Sequence, residues 1–151
     1  MKFNIIFCSV RKSFTTKFGW LKNSAINKAS NESVEKFNIC TPSIKQTVKN
    51  LSRGNQQKVA IAKWLIHKCD ILIFDEPTRG IDVGAKDEIY KLLKVLTSQG
   101  KSIIMISSEL PEVLRLSDRI VVMCKGEVTG ILENSSADQN IIMQYATRNQ
   151  S

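Results

Sequence analysis

The sequence contains no long apolar run, one histidine and four cysteines. None of its apolar stretches approaches the ~18 residues that a membrane-spanning helix needs, so we expect any role at a membrane to depend on a partner. The cysteines lie roughly thirty or more residues apart and form no Cys-x-x-Cys pair, which argues against a zinc site and against a disulfide scaffold. This cysteine usage fits a reducing, cytosolic setting best.

A signal peptide is not expected at the start of the sequence. The apolar run at residues 5–8 is too short for a signal peptide's hydrophobic region, and Arg11 and Lys12 follow it closely.

Positive charge is concentrated in the first third of the sequence. The net charge is +8 overall, and residues 1–50 contain nine Lys and Arg against two Asp and Glu, a net charge of +7. Nucleic acid, anionic lipid or an acidic protein would each be attracted to such a segment, but a solvated basic face is the simpler interpretation.

The pattern along the chain changes at Leu51. Before it, weak periodicity predicts short helices with loops and a break at residues 41–43. After it, Ser52 is a good N-cap for a helix predicted over residues 53–68. Residues 71–74 form an apolar run typical of a strand buried on both faces, with Asp75 and Glu76 at its carboxyl end.

The remaining elements alternate between helix and strand. We predict an α/β fold in which strands 71–75, 102–106 and 119–123 form a parallel sheet with right-handed crossovers. The other expected elements are a second buried strand at 102–106, a hairpin partner for 119–123 at 127–132, helices over 85–98 and 109–116, and a helix over 138–145 capped by Ser135 and Ser136.

Three segments in fixed order carry the chemistry. The first is Leu51-Ser52-Arg53-Gly54-Asn55-Gln56-Gln57, the second is residues 71–78 with the letters ILIFDEPT, and the third is Gly80-Ile81-Asp82. Each alone has a simple structural explanation, either a helix cap or a solvated turn. Together they resemble the signature motif, the Walker B strand and the D-loop of an ABC-type ATPase.

Phosphoryl transfer needs positioned groups and stabilisation of negative charge. Ser52, Gly54 and Gln56 begin a helix, where unpaired backbone N–H groups favour an anion. By the resemblance, this helix tip meets the γ-phosphate of ATP held on a second, facing cassette.

The resemblance also implies roles for the acids and for one serine. Asp75 would hold Mg²⁺ through its water shell, and Glu76 would polarise the attacking water. Asp82 would lie across the cassette interface and couple the two sites. Ser108 occupies the switch position. Most ABC ATPases have histidine there, whereas the second cassette of the sugar importer ATPases usually has serine. His67, the single histidine, is expected to be structural.

Three longer segments, 54–65, 75–86 and 107–114, look like the second cassette of the ribose, galactoside and xylose importer ATPases. The resemblance makes residues 1–50 the end of a helical subdomain, with 1–17 unassigned. By the same resemblance, residues 51–151 correspond to the signature helix, the Walker B strand and the C-terminal part of an ABC ATPase core.

The resemblance also implies ATP and Mg²⁺ as cofactors. The implied location is peripheral, at the cytoplasmic face of the bacterial inner membrane. The implied partners are a second ABC cassette, transmembrane permease subunits and, indirectly, a periplasmic or surface sugar-binding protein; nucleic acid is not expected.

Two features depart from the family pattern. Arg53 replaces the first glycine of the motif; it would be strained if the position requires a positive φ, and would otherwise add a cation near a phosphate. No G-x-x-x-x-G-K-[ST] motif occurs, so the sequence lacks the loop that cradles phosphates. We therefore expect a partial P-loop NTPase domain without the P-loop and N-terminal β-subdomain, inactive in isolation.

Two other functions remain open at this point. One is a non-transport ABC ATPase that acts on nucleic acid or ribosomes, which only the basic first third supports. The other is a non-catalytic module that docks on an intact cassette.

Overall fold

A computed structural model describes residues 1–16, 18–66 and 69–147. The chain divides into two compact units. The first unit comprises residues 1–72 and 78–104, and the second comprises residues 73–77 and 105–151.

The first unit opens with short helices around an apolar centre. They are α1 (Lys2–Ile6), α2 (Val10–Ser13) and α3 (Asn23–Lys36), and 41–43 lie outside helix and strand. The prediction of helices separated by loops in this region is confirmed. The centre consists of buried apolar side chains from these helices and from the following segment: Ile5, Ile6, Phe14, Ile26, Phe37, Ile39, Leu51, Val59 and Ala62.

Two further helices belong to the first unit, and an ion pair between a buried lysine and a half-exposed glutamate joins them. They are α4 (Arg53–Ile66) and α5 (Val83–Ser98). The ammonium of Lys58 lies 2.7 Å from a carboxylate oxygen of Glu88 and donates to the Asn38 carbonyl oxygen at 2.8 Å. A buried ammonium is tolerated only when such acceptors replace its water, so this contact fixes α4 beside α5. The predicted helices are confirmed, while His67 lies outside the described residues.

Strands β1 (Ile71–Asp75) and β2 (Ser102–Ile106) pair with each other. At the start of the pair, the Ser102 N–H donates to the Asp70 carbonyl at 2.9 Å; at its end, the Glu76 N–H donates to the Ile106 carbonyl at 2.8 Å. Since residue numbers rise in the same direction along both strands, the pair is parallel. The two strands are confirmed at the predicted positions.

The prediction that these strands are buried on both faces is wrong. Leu72 and Phe74 are buried, whereas Ile71 and Ile73 are 63% and 66% exposed. Neighbouring residues of a strand point to opposite faces, and among the described residues only one face of β1 is covered. On β2 the exposed apolar residues are Ile104 and Ile106.

The third predicted strand belongs to a different sheet. In the second unit, β3 (Arg119–Cys124) pairs antiparallel with β4 (Glu127–Glu133), and these two strands form a sheet of their own in the described part of the chain. Lys125 and Gly126 both have positive φ, 50° and 86°, as a tight hairpin turn requires. This turn returns the chain directly along β3. The hairpin is therefore confirmed, and the expected place of residues 119–123 in the parallel sheet is wrong.

Helices α6 (Leu110–Leu116) and α7 (Gln139–Thr147) complete the second unit. Asp138 caps α7, because one of its carboxylate oxygens accepts the Ile141 N–H at 2.8 Å. The predicted cap at Ser135 and Ser136 is wrong, since both serines lie in a preceding 3₁₀ turn. Ile142 of α7 packs with the buried face of β3 to form this unit's core.

Candidate functional site

The tip of α4 carries the first predicted motif. The Gln56 N–H donates to the Ser52 carbonyl at 2.9 Å, and the Asn55 N–H donates to the Ser52 hydroxyl oxygen at 3.4 Å. The Gln56 side-chain amide turns back and donates to the Leu51 carbonyl at 2.9 Å. Ser52 therefore caps α4 as predicted, and the Gln56 side chain stabilises the turn that leads into the helix.

Arg53 is the first residue of α4 and does not have positive φ. The strained alternative considered for this position is therefore excluded. Its guanidinium Nη1 instead lies 3.4 Å from the Gly80 carbonyl oxygen, a long bond assisted by the arginine's charge. Gly80 has a φ of 70°, and a Cβ atom there would collide with the same guanidinium. The arginine thus lies against the loop that contains the third motif.

Gly54 lets α4 approach the start of α5 closely. A Cβ atom at Gly54 would lie 2.8 Å from the Ala85 Cβ, so only glycine fits this contact without a shift. Asp82 caps α5, because one of its carboxylate oxygens accepts the Ala85 N–H at 2.9 Å. The first unit therefore brings Ser52, Gly54 and Asp82 into two adjoining turns.

The second unit contains the adjacent acids at the end of β1. Asp75 is exposed, and Glu76 is partly buried with a φ of 46°, an unusual backbone conformation for glutamate. The Glu76 N–H is bonded to the Ile106 carbonyl, and a carboxylate oxygen of Glu76 accepts the Ser108 N–H at 3.1 Å. The structure thus places Glu76 next to Ser108, but the contact is made by the backbone amide of the serine. Reasoning from side chains could not have found it.

Two further residues support the loop that holds Glu76, and sequence reasoning missed both. The Ser107 hydroxyl donates to a carboxylate oxygen of Glu112 at 2.6 Å and accepts the Glu109 N–H at 3.1 Å. Glu112 is only 2% exposed. The sequence offered one signal, which is a pair of serines just before a helix, where serine commonly bonds exposed N–H groups.

The carboxylates suit a magnesium ion that is held mainly by water and by substrate. Among the described residues, no group of three or more His, Cys, Asp and Glu could hold a metal ion. Mg²⁺ is commonly bound through one or two carboxylates, with waters and phosphate oxygens as its other ligands. The exposed carboxylate of Asp75, next to that of Glu76, fits this pattern.

No helix in the described part of the chain is both long and apolar enough to span a membrane.

Comparison with known proteins shows what this chain is similar to. Residues 9–79 match the family model described as ABC transporter. The ribose import ATP-binding protein RbsA of Clostridium perfringens is 52% identical over 143 residues, 95% of this chain. The chain is similar to members of the ABC transporter family. The galactose/methyl galactoside import ATP-binding protein MglA of Clostridium tetani is also similar, 52% identical over 145 residues, 96% of the chain.

The chain spans 28% of the length of RbsA and 29% of that of MglA.

Solved cassettes have the same fold. The structure of cbiO1 from Clostridium perfringens, part of the ABC transporter complex cbiONQ, superposes with a TM-score of 0.70 and 27% identity, covering 97% of this chain and 56% of that one. A dimeric bacterial ABC transporter cassette gives a TM-score of 0.65 and 26% identity, covering 77% and 50%. The predicted α/β fold of an ABC ATPase cassette is confirmed.

Proposed function

We propose that this chain provides the signature helix and the hydrolytic residues of the ATP-binding component of a monosaccharide importer. The observation that carries the proposal is the position of Glu76, whose carboxylate is fixed at the end of β1 by the Ser108 amide. A carboxylate at this place can accept a proton from a water molecule that attacks phosphate. The names of the relatives, which are import ATP-binding proteins for ribose and galactosides, support a sugar as the transported substrate.

Each predicted residue has a role in this proposal. The helix tip formed by Ser52, Gly54 and Gln56 faces the γ-phosphate of ATP on a second cassette, where helix N–H groups and the helix dipole favour negative charge. Asp75 would hold Mg²⁺ through water, and the ion would offset the charge that develops on the phosphate oxygens. Asp82 lies at the cassette interface, and Ser108 replaces the switch histidine.

The proposal also specifies partners and location. The chain works with a second ABC cassette and with transmembrane permease subunits, and a sugar-binding protein delivers substrate to the permease. It is peripheral at the cytoplasmic face of the bacterial inner membrane. The dimer formed by a solved cassette supports the requirement for two cassettes.

The test of Glu76 is made within a complete two-cassette subunit that contains this chain. The catalytic glutamate of the other cassette is first disabled, so that only the site with this Walker B strand is measured. Glu76→Gln keeps the side-chain shape and removes the charge, so we expect ATP binding to persist while hydrolysis falls by about 10²-fold or more. Glu127→Gln, at an exposed position of β4, is the matched control. Turnover by Glu76→Gln at the parental rate would show that Glu76 is structural.

The isolated chain is expected to hydrolyse no ATP above background and to bind Mg-ATP weakly. The reason is that its sequence contains no G-x-x-x-x-G-K-[ST] motif to hold the β- and γ-phosphates. Isothermal titration of the purified chain measures the affinity directly. A micromolar dissociation constant for the monomer would contradict this expectation.

A further inference from the structure

The loop at residues 106–108 holds both the backbone and the side chain of Glu76. The Ile106 carbonyl accepts the Glu76 N–H at 2.8 Å, and the Ser108 N–H donates to the Glu76 carboxylate at 3.1 Å. Glu76 has a φ of 46°, which for a residue other than glycine costs of the order of 1 kcal/mol. Such a conformation persists only when its surroundings fix it, so the loop must itself be well held.

The direction of the Ser108 N–H depends on the peptide plane that joins Ser107 to Ser108. The Ser107 side chain holds this plane through two hydrogen bonds. Its hydroxyl donates to Glu112 at 2.6 Å, and its oxygen accepts the Glu109 N–H at 3.1 Å. Ser107 therefore connects the amide that holds Glu76 to the first turn of α6.

The buried acid in this set has no role in the mechanism proposed above. Glu112 is 2% exposed, and a carboxylate that loses its water is retained only where hydrogen bonds replace that water. An O–H···O bond of 2.6 Å is short and has the length of one made to an ionised carboxylate. An apolar residue would fill this first turn of α6 without the cost of burying a charge.

We propose that Glu112 is a positioning residue that acts through Ser107 to aim the Ser108 amide at the carboxylate of Glu76. The inference deepens the proposed function, since it rests on Glu76 as the hydrolytic residue. Loss of Glu112 releases the Ser107 hydroxyl, the peptide plane rotates, and the Glu76 carboxylate loses its fixed donor.

The test measures the Ser108 amide by NMR in the full chain, without nucleotide. In the parent, the substitution Glu76→Gln removes the negative acceptor, so it shifts the Ser108 amide proton. In Glu112→Ala and in Ser107→Ala, we expect this coupled shift to be lost and exchange of the Ser108 amide with water to be about fivefold faster or more. Ser107→Thr keeps the hydroxyl and should restore both signals, and Glu127→Gln should leave both unchanged.

These outcomes separate positioning from general stability and from the proposed function. Urea unfolding of each variant shows whether the fold survives; if Glu112→Ala does not fold, the comparison of Ser107→Ala with Ser107→Thr decides. A Ser108 amide proton that Glu76→Gln still shifts by the parental amount in folded Ser107→Ala would overturn the inference and leave the proposed function intact. A coupled Ser108 amide, together with a Glu76→Gln subunit of parental turnover, would contradict the proposed function alone.

Discussion

Arg53 places a positive charge at the first residue of α4, where the helix dipole is also positive. This arrangement opposes the helix by about 0.3–1 kcal/mol. The Gly80 carbonyl oxygen, 3.4 Å from the guanidinium, offsets part of that cost. At the residue scale, Arg53 and Gly80 therefore depend on each other, and a Cβ atom at Gly80 would push the guanidinium away.

A double-mutant cycle measures this dependence. Gly80→Ala imposes the cost of a positive φ in any background, about 1 kcal/mol, but it also removes the arginine contact when Arg53 is present. We expect Gly80→Ala to reduce the free energy of unfolding by about 0.2–1 kcal/mol more in the parent than in Arg53→Ala, as measured by urea unfolding.

Gly100→Ala is the matched control for that cycle. Gly100 has a φ of 81°, and an added Cβ would have no neighbour within 4 Å. Its substitution should therefore cost the same free energy with and without Arg53. Equal losses for Gly80→Ala in the two backgrounds would show that the guanidinium does not stabilise the loop.

At the scale of elements, an ion pair marks the place where β1 and β2 begin to pair. The ammonium of Lys101 lies 2.8 Å from a carboxylate oxygen of Asp70, just before the backbone bond from Ser102 to Asp70. The hydrogen bond and the charge of Lys101 lower the pKa of the Asp70 carboxyl below its usual value. The Asp70 carboxylate is exposed to water, so the effect of this pair is local.

The lowered pKa of Asp70 predicts the sign of a pH effect. A carboxyl whose pKa is lower in the folded state stabilises the fold above its unfolded pKa, and this stabilisation is lost as pH falls through its folded pKa. In Lys101→Met, we expect the pKa of Asp70 to rise toward its usual value and this part of the acid sensitivity to disappear. NMR titration of the Asp70 carboxyl measures the change. Lys94→Met, at an exposed position of α5, should leave the titration unaltered.

Sequence patterns located the elements but not their neighbours. The apolar run before Asp75 and Glu76 identified β1 and put the acids at its carboxyl end, because a strand of this length ends where the apolar residues end. Burial of Ile71 depends on what covers each face of the sheet, which a single run does not contain. The role of the Ser108 amide could not be predicted for a similar reason. Almost every residue has a backbone N–H, and only the loop conformation determines which one donates to Glu76.

At the scale of the whole molecule, exposed apolar side chains are grouped on the faces of strands, where they can favour association. In the second unit, the outer face of the hairpin carries the cross-strand pairs Val121 with Ile131 and Met123 with Val128. All four side chains are more than half exposed. The β1–β2 sheet likewise exposes four isoleucines, Ile71, Ile73, Ile104 and Ile106.

We expect the purified chain to self-associate through such faces, and sedimentation velocity over a range of concentrations to show it. Val121→Thr combined with Ile131→Thr keeps the β-branched shape that strands favour but adds two hydroxyl groups to the hairpin face, so the variant should sediment more slowly than the parent. Val95→Thr changes an equally exposed valine on α5 and serves as the control.

The dependence of this association on salt identifies its driving force. Because the chain has a net charge of +8, its copies repel one another, and salt that screens this repulsion should strengthen association through apolar faces. A parent chain that sediments as a monomer at every concentration and salt level, or a hairpin variant that associates as strongly as Val95→Thr, would exclude the hairpin face as the cause.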